Sequence, residues 1–70
     1  MSSRITTEQT KKYQATIRYY AKEEEYVLKI TEIATSKLVV EKAFTYLGDA
    51  IAASSSVLTA LETIDQYTEN

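Results

Sequence analysis

The chain has no cysteine, no histidine, no proline and no tryptophan, and it has a single glycine, Gly48. Each absence excludes something. Without Cys there is no disulfide framework and no thiolate nucleophile. Without His the commonest general base is gone. With neither, a zinc or other soft-metal centre would rest on carboxylates alone, so no metal and no cofactor are expected. One glycine leaves no glycine-rich phosphate loop. No run of 18 apolar residues occurs, so no membrane-spanning helix is expected. The first residues lack the apolar stretch of a secretory leader, and a cytoplasmic location is the expectation.

What remains is a small, thinly apolar chain. Leu, Ile, Val and Phe make up 16 of its 70 residues, just above the level at which a chain stays disordered. A domain of this length buries only about 60% of the surface its unfolded chain exposes, so a lone core is marginal. Small domains offset this with disulfides, metal or oligomerisation. The first two are excluded or disfavoured here, which points to self-association or a partner. The net charge of −2 hides a gradient. Arg4, Lys11, Lys12, Arg18 and Lys22 face only Glu8 in residues 1–22, whereas Asp49, Glu62, Asp65 and Glu69 stand without a base in residues 49–70. Such asymmetry suggests a charged arm or head-to-tail attraction between copies.

Hydrophobic periodicity divides the chain. Residues 1–11 are polar and small, with Ile5 the one large apolar residue after Met1, and read as a flexible N-terminal arm. Residues 12–21 alternate, with Tyr13, Ala15, Ile17, Tyr19 and Ala21 on one face, which predicts a half-buried strand. The charged stretch from Lys22 to Glu25 breaks it. Residues 26–34 alternate again, with Tyr26, Leu28 and Ile30 opposed to Val27, Lys29, Thr31 and Ile33. Residues 38–45 read as a third strand, with Leu38, Val40 and Phe44 on one face. Residues 36–47 also admit a helix, with Ser36 as its cap and Gly48 ending it. Residues 47–67 carry the clearest helical period, through Leu47, Ala50, Ile51, Ser54, Val57, Leu58, Leu61 and Ile64.

The expected fold is therefore α+β. Residues 12–70 form one small ββ-β-α domain: a three-stranded antiparallel sheet with one C-terminal helix on one face. The alternative is a β-hairpin followed by two helices. The passage from an aromatic-ended strand into a helix (Phe44-Thr-Tyr-Leu-Gly-Asp-Ala-Ile-Ala-Ala53) is similar to that of many small ββ-β-α modules. Over residues 13–60 the element order resembles the N-terminal half of HicB-type antitoxins. The glycines usual before that family's helix are absent here, and no functional residue carries over.

For function, the inventory argues against an enzyme. Ser54, Ser55 and Ser56 fall within the predicted helix, and Glu23, Glu24 and Glu25 splay apart as neighbours in a turn. One helix over one sheet also leaves little room for a substrate pocket. Two binding readings remain. In the first, the uncovered sheet face carries a protein-binding patch of Arg18, Tyr20, Val27, Lys29, Thr31, Ile33 and Val39, mixing aromatic, Arg and apolar groups. Edge strands without proline or an evident bulge add a second route to pairing. The chain then acts as a self-associating regulator or inhibitor, a homodimer that masks or bridges a protein partner. Phage- and plasmid-borne regulators of this size supply an analogy. In the alternative, Lys11, Lys12, Arg18, Tyr20, Lys22 and Lys29 bind single-stranded nucleic acid by stacking and phosphate contact.

Overall fold

Period-two alternation builds the centre of the molecule. In the computed structural model, which describes residues 2–68, β2 (Tyr13–Tyr20) and β3 (Glu25–Glu32) pair antiparallel without a slip, from Tyr13 opposite Glu32 to Tyr20 opposite Glu25. Tyr13, Ala15, Ile17, Leu28 and Ile30 are buried on one face of this pair. β4 (Leu38–Phe44) pairs with β3, and β1 (Ser2–Gln9) pairs with β2. The order β1-β2-β3-β4 is an antiparallel meander. A single helix, α1 (Leu47–Thr68), lies on the face bearing Ile17 and Ile30.

The sheet has four strands, not three. The added strand, β1, occupies the segment read as a flexible arm. Its register explains why periodicity did not show it. Thr6 and Glu8 stand opposite Ile17 and Ala15, on the core side of the sheet. Neither is apolar, and α1 packs against β2, β3 and β4. β1 thus contributes backbone hydrogen bonds rather than core. Thr10 closes the hairpin: its N–H donates to the Tyr13 carbonyl at 2.8 Å, and its Oγ1 accepts from the Tyr13 N–H at 3.1 Å.

Residues 36–46 are strand and turn, and the one helix begins at Leu47, so the hairpin-plus-two-helices alternative is also overturned. Ser36 is not a cap. It sits in a turn at φ 60°, with its N–H donating to the Glu32 carbonyl at 2.8 Å. Gly48 does not end a helix; it lies in the first turn of α1, and no glycine has positive φ. Among the described residues the two left-handed positions are filled by Glu24, at φ 56°, and Ser36. In a chain with one glycine, ordinary side chains carry that strain, at a cost of about 1 kcal/mol each.

The β4 alternation also contains a slip. The partners of Ile30 and Thr31 are Val40 and Leu38, so Val39 is an extra residue in the ladder. This bulge moves Leu38 to the row of Thr31, away from the face of Val40. A matching slip between Arg4 and Thr6 makes Ile5 the extra residue of β1. Both edges of the sheet therefore carry a bulge, contrary to the smooth edges expected, and bulged edges discourage strand-to-strand pairing.

Helix α1 meets the sheet along Ala50, Ser54 and Leu58, all buried, with Leu47, Ala53, Val57 and Leu61 half-buried beside them. Ile51 and Ile64, counted in the apolar stripe from sequence, are 43% and 58% exposed. Asp49 places negative charge in the first turn, where the helix dipole favours it. Two substitutions test this account by urea denaturation. Leu58→Ala removes the largest helix side chain in the core and is expected to cost about 2–4 kcal/mol. Gly48→Ala is expected to add about 0.5–1 kcal/mol, because a Cβ there meets nothing within 4 Å. A loss of stability in the alanine variant at 48 would contradict the helix start described here.

Candidate functional site

The face of the sheet away from α1 is built row by row from the strand register. Gln14, Thr31 and Leu38 form one row. Thr7, Thr16, Lys29 and Glu41 form the next. Arg18, Val27 and Ala43 follow, and Tyr20 stands opposite Glu25 at the far end. Of the sequence-predicted contact residues, Arg18, Tyr20, Val27, Lys29 and Thr31 thus share this face. Tyr20, Val27 and Thr31 are half-buried, and Arg18 and Lys29 are exposed. Lys29 Nζ lies 3.4 Å from Glu41 Oε2, with both side chains about half exposed. A pair this exposed contributes about 0–1 kcal/mol and serves more to balance charge across the face than to hold it.

Ile33 and Val39 lie at one end of that face rather than within it. Ile33 follows β3, and its N–H donates to the Lys12 carbonyl at 2.9 Å. Val39 is the bulge residue. With Leu38, opposite Thr31, they make an apolar corner in which Ile33, Leu38 and Val39 are 40%, 48% and 40% exposed. Leu38 is the exposed apolar residue of this end that sequence reasoning placed on the other face. Strict alternation assigned it to the face of Val40, and the bulge that reverses it leaves no mark in residue type.

The nucleic-acid set does not converge. Lys11 and Lys12 lie in the β1–β2 turn and Lys22 in the β2–β3 turn, at opposite ends of the eight-residue β2, which spans about 25 Å. Arg18, Tyr20 and Lys29 are between them, with Glu25 and Glu41 interleaved on the same face. The tyrosines are dispersed too. Tyr13 is buried, and Tyr19 and Tyr26 lie against each other on the helix side, with centroids 4.9 Å apart and ring planes inclined by 43°. Tyr46 and Tyr67, 69% and 79% exposed, lie beyond the sheet on α1 or its approach.

The opposed charges of the two chain ends meet within the molecule. Lys11 and Lys12 line a shallow cleft with Thr10, Glu62, Asp65 and Gln66, and Lys12 Nζ is 4.0 Å from Asp65 Oδ2. A second cleft joins the same lysines to Glu32, Ile33 and Ala34. Tyr13 is buried beside this cluster, with the Asp65 carboxylate within electrostatic reach of its hydroxyl. Burial first, then the Asp65 and Glu32 carboxylates, push the Tyr13 hydroxyl above its ordinary value; Lys12 acts in the opposite sense.

Among the described residues no group of three or more His, Cys, Asp or Glu side chains is placed to hold a metal ion. No helix among them is long and apolar enough to cross a membrane. No protein-family model, curated protein or solved structure matches this chain.

The Tyr13 environment sets a pH dependence. A raised folded-state value means the fold favours the neutral phenol, so this stabilisation is complete below about pH 10 and fades as pH climbs through the folded value. Urea midpoints measured from neutral to strongly alkaline pH are expected to fall for the wild type. Tyr13→Phe is expected to start lower at neutral pH and to fall less steeply above pH 10. Parallel curves for the two proteins would show that Tyr13 is not the group responsible.

Proposed function

We propose that this chain is a small non-enzymatic protein-binding module that self-associates, as a homodimer, and regulates or inhibits a protein partner by masking or bridging it. The observation that carries the reading is the face opposite α1. It joins the half-buried Tyr20 and Val27 beside Arg18 to an exposed apolar corner of Ile33, Leu38 and Val39. Aromatic, Arg and aliphatic groups of this kind supply the anchors of interfaces, while Lys29, Thr31 and Glu41 supply a polar surround. The thin core argues the same way, because one helix cannot cover both sides of a sheet. Separation of the cations into two turns, with acids between them, favours a protein partner over a nucleic acid.

The partner is best sought by affinity capture with the intact chain, comparing the wild type with the double variant Tyr20→Ser, Ile33→Ser. The variant is expected to lose the captured partner while its circular dichroism is unchanged. Capture of the same partner at the same yield would overturn the assignment of this face. Titration with a labelled single-stranded oligonucleotide at two salt concentrations gives the counter-test. No binding at low salt is expected, and a steep salt-dependent affinity would turn the assignment to nucleic acid.

A further inference from the structure

Among the described elements β1 is held in a way of its own. Of its described side chains, Ile5, Thr7, Glu8 and Gln9 are exposed and Thr6 is half-buried, and none joins the core. Helix α1 packs against β2, β3 and β4. What holds β1 is the backbone ladder to β2, and the bulge at Ile5 interrupts that ladder. The body of the molecule closes without it. β2 and β3 pair along their whole length with no slip, and α1 with Val40 and Phe44 of β4 completes the core around Ile17, Leu28 and Ile30. The boundary between β1 and this body is sharp. Thr10 is bonded to Tyr13 in both directions. The Ile33 N–H donates to the Lys12 carbonyl at 2.9 Å, Lys12 Nζ lies 4.0 Å from Asp65 Oδ2, and Tyr13 is buried. The chain from Thr10 onward is thus anchored, whereas the strand before it hangs on its ladder.

We propose that β1 is a releasable cover strand. It opens as a unit, hinged at Thr10, while β2, β3, β4 and α1 stay folded, and it thereby gates the edge of β2. A segment opens on its own when few buried apolar contacts hold it. Release of β1 gives up a ladder whose groups can bond water instead. It also returns backbone freedom to eight residues. Release of β4, the other outer strand, would strip Val40 and Phe44 from the core, so the two edges are not equivalent. The closed and open forms also present different edges. Closed, both outer strands carry a bulge, which resists the addition of another strand. Open, the edge is β2, which pairs with β3 without a slip and carries Tyr13, Ala15 and Ile17 in the core. A regular edge of this kind, with its N–H and C=O groups unpaired, is a template for strand addition. β1 therefore decides whether the sheet shows a resistant edge or a receptive one.

Amide hydrogen exchange on the full chain tests this. Successive residues of an antiparallel strand bond alternately to the neighbours on its two sides. The β2 amides that face β1 are expected to exchange together with those of β1, at least about 10-fold faster than the alternate β2 amides that face β3. A clamp supplies the second arm. Thr7 and Thr16 stand opposite one another on the open face, in a chain that has no cysteine. In the double variant Thr7→Cys, Thr16→Cys, oxidation is expected to slow the fast set to the rate of the slow set, and reduction to restore the difference. Equal protection of both β2 sets in the wild type would overturn the proposal, because β1 would then open only with the whole fold. Exchange of the β1 amides at the rate of an unfolded chain would overturn it too, because there would be no cover to release. A fast set that persists in the oxidised variant would do the same, since its exchange would not arise from β1 leaving.

Discussion

Helix α1 approaches the sheet along Ala50, Ser54 and Leu58, spaced four apart, and two of these three are small. Small residues let the helix backbone come close to Ile17, Leu28 and Ile30, which are the largest fully buried apolar side chains. That close approach is what makes a core from so few large residues. It also limits the core to one layer under one helix, and the remaining features follow from this limit. The opposite face must meet solvent or another surface, β1 must be held without core contacts, and the flanks of α1 must stay partly bare.

Electrostatics fastens the far end of this arrangement. The C-terminal half of α1 carries acids and no base in its last turn, which by itself disfavours the helix end. The β1–β2 turn brings Lys11 and Lys12 to that end, with the buried Tyr13 beside Asp65. Part of the charge gradient along the chain therefore meets inside one molecule, at Lys12 and Asp65. Its sequence signature resembled an intermolecular attraction because residues 12 and 65 are far apart only along the chain.

Legibility from sequence tracked one property: whether a residue's side chain does the folding work. β2, β3 and α1 show in the alternation of Tyr13, Ala15 and Ile17, of Leu28 and Ile30, and in the period of Ala50, Ser54 and Leu58, because their side chains build the core. β1 was hidden because its Thr6 and Glu8 add nothing apolar, and its attachment is a ladder of backbone hydrogen bonds closed by Thr10. Residues 38–45 read as a strand, yet a helix over residues 36–47 also fitted the pattern. Pairing with β3 decided between them, and no local signal represents that pairing. The make-up of the open sheet face was legible in the same measure. Arg18, Tyr20, Val27, Lys29 and Thr31 follow from parity along two regular strands, whereas Leu38 escaped because one bulge reverses parity beyond it.

The sequence by itself determined the chemistry that is absent, the thinness of the core and which residues within each of β2, β3 and α1 share a face. These follow from residue type and from the fixed periods of strand and helix. The tertiary structure decided the fourth strand, the two bulged edges and the union of Lys12 with Asp65. Each of these depends on backbone pairing or on the order of strands in space. Hydrogen bonds between peptide groups are nearly the same for every residue, so the amino-acid pattern carries little trace of them.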